Sequence, residues 1–439
     1  MQLDSPAEAA SKPSLGGRIR GLLLHPTVRT RVLAPMGFDA SILVANLFSG
    51  IAIARALGPA GRGEIAAILL LTQLCVWFFS GGATEAIAFR LARRAEDGPR
   101  LLGTWLAIGV PLGLLAIIVG ELALPVLFSA QTSEAILLGR FYLAIVLVLL
   151  LQVVQYGLLL GSHDFFFYNV VRLLQPALIS AAYLACWVFG LLSVKGALAI
   201  NAAAIGIAFL AAAFRLLRRL GIGRPDRTLL RETLSFGLKS HMGTIAGLVN
   251  ARLDLMIVPA FLSAASVGLY SVATNVTSII ITLTTTIATI VMPVAARREK
   301  QSPRTVIRTL QVVMLIGVAI AIPLAGIANL ALGIVYGSDF ESAATALRIL
   351  LPGVVLDAAA MVLWSGLLAA NRPLLSSVAA IPAAIITVGG LVLFLEEGGI
   401  DVAAIVSTIA YTVVFVISVF LYKRVAELEW RDFLTPPAR

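Results

Sequence analysis

Charge is scarce in this chain. Of 439 residues, 13% are charged and 59% are hydrophobic, and the mean hydropathy is +0.98. A soluble protein carries roughly 25% charged residues. So few charges cannot cover a water-facing surface, and lipid must bathe much of the exterior. Cysteine is almost absent: Cys75 and Cys186 both lie in apolar runs. Two thiols make neither a disulfide framework nor a metal site. His25, His163 and His241 are scattered without ligand spacing, so no metal or organic cofactor is expected. No secretory leader is expected from residues 1–17. Residues 1–17 are polar and mixed in charge, with no short apolar core before a cleavage site. The first apolar run therefore reads as a retained anchor.

What the sequence has instead is a succession of apolar runs. A span needs about 20 mostly apolar residues. Twelve runs meet that length, at about 36–56, 64–89, 101–123, 135–160, 166–190 and 196–216, then about 234–261, 267–293, 306–335, 344–370, 374–395 and 400–422. The count could differ by one, because 306–335 is long and contains Pro323. The expected fold is an all-α polytopic membrane protein of about twelve transmembrane helices.

The net charge of +10 does not point to nucleic acid. Its arginines sit in short connections, where positive charge sets topology. Arg90, Arg93, Arg94 and Arg100 follow the second run, and Arg297, Arg298, Lys300 and Arg304 follow the eighth. The middle connection carries Arg218, Arg219, Arg224, Arg227 and Arg231. The alternate connections hold only Arg62 and Lys195, with Glu134, Asp339, Glu341, Glu396, Glu397 and Asp401. This alternation fits an even span count with both termini cytoplasmic. It divides the chain into an N-terminal arm (1–35), a first six-helix bundle (36–216), a cytoplasmic linker (217–233), a second six-helix bundle (234–422) and a tail (423–439). Residues 18–34 mix Arg with Leu and Val, as either an interfacial segment or a plain basic arm would.

The two halves repeat each other in register. ALGPAGRGEIAA (56–67) lies over FLSAASVGLYSVA (261–273), which aligns Gly63 with Gly268. ARR at 92–94 lies over ARR at 296–298. LALPVLFS (122–129) lies over LALGIVYG (330–337), and Arg140 then falls on Arg348. Each half starts on the same side and has six runs, so this is a 6+6 parallel repeat. Transporters of that layout hold substrate in a central cavity between the halves and rock between two states.

An ionisable group inside a span needs a partner or water. Arg252 and Asp254 lie within the seventh run, two residues apart, so they point to different faces. Asn250 and Asp254 share one face. Asn275, Ser278, Thr282, Thr285 or Thr286, and Thr289 form a polar stripe on the eighth, suited to helix packing or to a cavity wall. The first run offers Asn46 near its centre, with Asp39 and Arg55 towards its ends; the fourth offers Gln152 and Gln155; the tenth offers Asp357.

ARALGPAGRGEIAAILLLTQL (54–74) resembles the turn between the first two spans of polysaccharide flippases of the Wzx type, in the multidrug/oligosaccharidyl-lipid/polysaccharide exporter superfamily. Arg55, Leu57, Gly58, Pro59, Gly61 and Gly63 carry the likeness. Residues 235–276, with Arg252 and Asp254 as an RxD pair and Val267 to Tyr270 as a VGxY turn, are similar to that family's seventh and eighth spans, and LLAANRP (367–373) to the end of its tenth.

The resemblance implies a cavity lined by the first, second, seventh and eighth spans. It implies carriage of a polyprenyl-diphosphate-linked oligosaccharide across a bacterial inner membrane for O-antigen or exopolysaccharide export, beside a polysaccharide polymerase and export machinery, with no covalent chemistry. On that basis Arg252 and Arg55, with Asn250, Asn46 and Asn275, are the expected substrate contacts. Asp254, Asp357 and Asp39 are the candidates for coupling a proton or sodium ion. The pattern departs from that of lipid II flippases, which have two further spans. Two other readings stay open: a cation-coupled drug antiporter of the same superfamily, which needs a carboxylate-dominated cavity, and a membrane glycan polymerase or ligase. The latter needs a large outer loop or an acid/base pair, and neither is evident.

Overall fold

Long apolar runs without a soluble core have one outlet in lipid, which is to close their backbone hydrogen bonds within helices. The computed structural model describes residues 34–296, 303–370, 372 and 374–434. The side chains of 34–36, 240, 242–252, 283–296, 374, 376 and 434 also lie outside the description. Among the described residues the chain is helical throughout, with no strand.

The first six crossings come from seven helices. They are α1 (Ala34–Phe79), α2 (Ala83–Arg93), α3 (Gly98–Leu127), α4 (Ser133–Leu143), α5 (Ile145–Gly161), α6 (Phe165–Val188) and α7 (Val194–Leu220). The second six come from α8 (Arg227–Phe261), α9 (Ala264–Ala296), α10 (Pro303–Gly326), α11 (Ala328–Tyr336), α12 (Ala344–Ala369) and α13 (Leu374–Val425). A short α14 (Trp430–Leu434) follows. Nine helical stretches are long and apolar enough to cross a membrane among the described residues. Two of them double back at glycines: Gly58 (φ 65°, ψ −172°) divides α1, and Gly399 (φ 58°, ψ −146°) divides α13. Both conformations are open to glycine and strained for other residues. With α8 added, the crossings number twelve.

Local chemistry sets the ends. Thr132 caps α4 by accepting from the Ala135 N–H at 3.1 Å, and Ser193 caps α7 through the Gly196 N–H at 3.1 Å. Asp226 caps α8 by accepting from the N–H groups of Thr228 and Leu229. The long run at 306–335 is two helices, α10 and α11, which part at Ile327, one turn after Pro323. Large apolar side chains such as Leu122, Phe141, Val188 and Leu393 stand more than two-thirds exposed on the flanks, as lipid-facing surface should.

Two arginines aligned by the repeat act as matching staples. Arg140, on α4, meets Glu121 on α3 at 3.5 Å. Arg348, on α12, donates to the Ala325 carbonyl on α10 at 2.9 Å and to Asn329 Oδ1 on α11 at 2.6 Å. Each ties the end of its half's third crossing to the start of its fourth.

Candidate functional site

The halves meet along a seam in which α9 packs on α1, and α8 packs on α2, α3 and α1. These are the first, second, seventh and eighth crossings, with the third beside them. One end of the seam carries the arginine-rich connections; it is termed the basic end here, and the other the far end.

At the far end the backbones touch. A Cβ added to Gly63 would lie 1.7 Å from the Ala264 carbonyl oxygen and 2.7 Å from the Gly268 nitrogen. One added to Gly268 would lie 1.9 Å from the Pro59 carbonyl oxygen. Only glycine at both positions allows this crossing. The glycines aligned by the repeat are thus the pair on which the halves cross.

Two hydrogen-bonded latches flank the crossing, related by the same repeat. On one side, Ser129 Oγ donates to the Ala260 carbonyl at 2.8 Å, and Gln131 Nε2 donates to the carbonyls of Pro259 and Leu262 at 2.8 Å each. On the other, Arg55 Nε donates to the Val335 carbonyl at 3.2 Å and Nη2 to that of Ile334. Each latch joins the far end of one half's first crossing to the turn after the other half's third. Pro259 and Ala260 end α8, while Ile334 and Val335 end α11, so the acceptors are carbonyls that helix termini leave open. Arg55 gains further from the negative end of α11.

At the basic end the second and seventh crossings close on each other. A Cβ on Gly82 would sit 2.3 Å from the Gly237 carbonyl oxygen. His241 Nε2 lies 2.7 Å from the Trp77 carbonyl oxygen, and Phe89 stacks on Phe236 at 4.6 Å. An ionic chain ties the same contact. Buried Asp97 accepts from Arg90 and Arg100 at 2.8 Å each, Arg90 reaches Glu232 at 2.7 Å, and Arg100 reaches Asp226 at 3.5 Å.

Asp254 is sealed within the second half. Its Oδ2 accepts from the Tyr270 phenol at 2.5 Å and from Ser407 Oγ at 3.0 Å, and its Oδ1 from the Leu255 N–H at 2.8 Å. Tyr270 and Ser407 themselves lie 3.1 Å apart. The carboxylate therefore binds the seventh, eighth and twelfth crossings together. Its described partners are neutral donors, a phenol, a hydroxyl and a backbone N–H.

The other expected site residues do not converge on one point. Asp357 is buried in α12. Asp39 lies at the basic end of the first crossing, paired with Arg172 at 3.0 Å. Asn46 is exposed on α1, and Asn275 is half-buried on α9. The backbones of Asn250 and Arg252 lie in α8, but their side chains are outside the described residues, as are those of Thr285 and Thr289. The basic arm 1–33 is outside them too. Gln155 donates to the Phe209 carbonyl at 3.2 Å, a bond between crossings. Gln131, Asp97 and Arg62 escaped the sequence reading as site residues. Gln131 follows the repeated LALPVLFS segment by two residues, and that position was its only signal.

Clefts of about 550 and 480 Å³ open on the flanks, the first between α1 and α6, the second within the doubled α13. Their walls are apolar and contain none of the expected site residues. Among the described residues, no group of three or more His, Cys, Asp or Glu gathers as a metal site.

A family model described as polysaccharide biosynthesis protein matches residues 52–345. A curated relative, the probable low-salt glycan biosynthesis flippase Agl15 of Haloferax volcanii, is 24% identical over 195 residues. That alignment spans 43% of this chain and 41% of the relative, less than half of its length. The lipid II flippase MurJ in its inward closed conformation is similar in fold, with a TM-score of 0.75 at 14% identity over 91% of this chain and 89% of that one. An inward-facing multidrug resistance MATE family transporter of the MOP superfamily gives a TM-score of 0.69 at 18% identity over 88% and 96%.

Proposed function

Because the chain belongs to the polysaccharide biosynthesis protein family, whose model spans residues 52–345, we propose that it is a flippase for polyprenyl-diphosphate-linked oligosaccharide. In this reading the basic end faces the cytoplasm of a bacterial cell and the membrane is the inner one. Bundles 36–216 and 234–422 rock about the seam in alternating access, linked by 217–233, and no covalent bond is made or broken. The product would pass to a polysaccharide polymerase or export assembly.

The observation that carries the proposal is the construction of the seam. Its far-end closure combines apolar packing shared by both halves and glycine contacts with hydrogen bonds to helix-terminal carbonyls worth about 0.5–1.5 kcal/mol each. Hydrogen bonds of that size can be remade each cycle by a ligand's differential affinity for two states. The names of the relatives agree: Agl15 is described as a glycan biosynthesis flippase and MurJ as a lipid II flippase.

A diphosphate headgroup needs cations in a low-dielectric site, and arginine matches phosphate geometry. Arg252 is assigned that role first and Arg55, at the far end of the seam, second, with Asn250, Asn46 and Asn275 towards sugar hydroxyls. Asp254 is the leading candidate for coupling a proton or sodium ion, because its hydrogen bonds to Tyr270 and Ser407 join crossings of the moving bundle. Asp357 and Asp39 follow.

The test is reconstitution in vesicles with a fluorescent polyprenyl-diphosphate oligosaccharide, scored by chemical quenching of the outer leaflet. Flipping by this protein, with no uptake of fluorescent organic cations, is the expected result. The reverse pattern would support a drug/cation antiporter, the reading favoured by the MATE-like fold alone.

A further inference from the structure

Arg62 lies just past the Gly58 kink, at the head of the second crossing. Counted along the sequence it is an ordinary loop cation. In the structure its Nε is buried without an acceptor, and Arg62 is in no ion pair among the described residues. Its Nη2 rests 4.0 Å from where a Cβ on Gly50 would stand, so the guanidinium folds back against the first crossing. The phenols of Tyr336 and Tyr183 are near enough to act on it. Arg62 is half-buried, and a guanidinium held there with its Nε unmatched and no anion beside it is a standing cost.

Arg55 lies on the other side of the same cover. It holds the carbonyls of Ile334 and Val335, the last turn of α11, and its Cδ is 3.9 Å from a Cβ position on Gly337. Tyr336, between those residues, is buried. One short turn, 334–337, therefore occupies Arg55 and carries the Tyr336 phenol, whose field reaches Arg62. Both arginines are matched only to neutral groups. A diphosphate offers each a charged, bidentate acceptor, which outcompetes a carbonyl.

We propose that Arg55 and Arg62 form a second, exit-side diphosphate site, covered in this state by residues 334–337 of α11. The site rests on the flippase reading and adds to it a far-end station distinct from Arg252. An anionic headgroup arriving there takes Arg55 from the α11 carbonyls, the turn lifts, and Arg62 gains its missing acceptor. The ligand that the closure excludes is then the ligand that opens it.

Hydrogen–deuterium exchange on the full-length protein in lipid nanodiscs tests this, with farnesyl diphosphate, farnesol and inorganic pyrophosphate as probes. Farnesyl diphosphate should speed amide exchange over 328–337, and farnesol should not. Acceleration by pyrophosphate as well assigns the effect to the diphosphate alone; acceleration by farnesyl diphosphate only assigns it to the lipid-linked form. Arg62→Gln should keep slow basal exchange and lose the acceleration, while Arg62→Lys keeps part of it. Arg55→Gln should exchange fast with or without probe. Acceleration that persists undiminished in a monodisperse Arg62→Gln protein overturns the site. So does a diphosphate effect confined to α8, which would leave the flippase reading intact. If farnesyl diphosphate changes exchange nowhere in the chain, both proposals fall.

Discussion

Gly63 and Gly268 meet backbone to backbone, and neither position has room for a methyl group: the nearest carbonyl oxygens would lie 1.7 and 1.9 Å from a new Cβ. The whole far-end closure is organised around that crossing, with the Arg55 latch on one side and the Ser129–Gln131 latch on the other.

Gly63→Ala should therefore disfavour this state without unfolding the bundles. Overpacking of a tight contact costs about 1–3 kcal/mol, and the protein can relieve it by opening the far end. Thiol labelling of a cysteine introduced at Ala264 should rise in Gly63→Ala, and transport should fall. Unchanged labelling would mean that the crossing does not gate access.

The two latches are separate sets of bonds on opposite sides of the seam. Gln131→Ala removes two hydrogen bonds, and Arg55→Ala removes two more. Each should weaken closure by about 1–3 kcal/mol, and for sites without shared partners the double variant should be near the sum. A double-variant cycle on far-end thiol accessibility measures this.

Tyr270→Phe keeps the ring and removes the 2.5 Å donor to Asp254. The carboxylate keeps Ser407 and the Leu255 N–H. The expected loss is about 1.5–3 kcal/mol for a hydrogen bond to a charged group, seen as a lower melting temperature in detergent. Asp254→Asn keeps the shape and acceptor of the site but not its proton or charge. It should abolish gradient-driven accumulation while leaving binding of a diphosphate probe largely intact, as read by a binding titration beside the transport assay.

At the basic end, Asp97→Asn should loosen the second crossing from the linker, because one buried carboxylate organises both Arg90 and Arg100. Arg90 and Arg100 would be left to Glu232 and Asp226 alone, pairs with exposed partners that salt screens. Proteolysis near 221–226 should become salt-dependent in the variant and stay salt-insensitive in the parent.

Much of the frame was legible beforehand. Hydropathy marked the crossings, and the repeat aligned Gly63 with Gly268 and Arg140 with Arg348, two pairs that do equivalent jobs in the two halves. Pro323 marked a real helix break. Partners across the seam were not legible. Arg55 donates to carbonyls about 280 residues away, and a backbone acceptor leaves no trace in side-chain identity. Gln131 is invisible for the same reason. Asp254 stood out as a charge in an apolar run, but Tyr270 read only as the end of a VGxY turn and Ser407 as part of another span. Arg62 looked like a loop charge because sequence position does not reveal that the Gly58 kink folds it back against the first crossing.

The central claim is that this seam moves a diphosphate-linked glycan with Arg252 as its principal cation. It is tested most directly by Arg252→Ala in vesicles containing a fluorescent polyprenyl-diphosphate oligosaccharide, with insertion of the variant checked in parallel. The account predicts that flipping is abolished in Arg252→Ala and partly retained in Arg252→Lys. Flipping at the parent rate by a correctly inserted Arg252→Ala protein would contradict it.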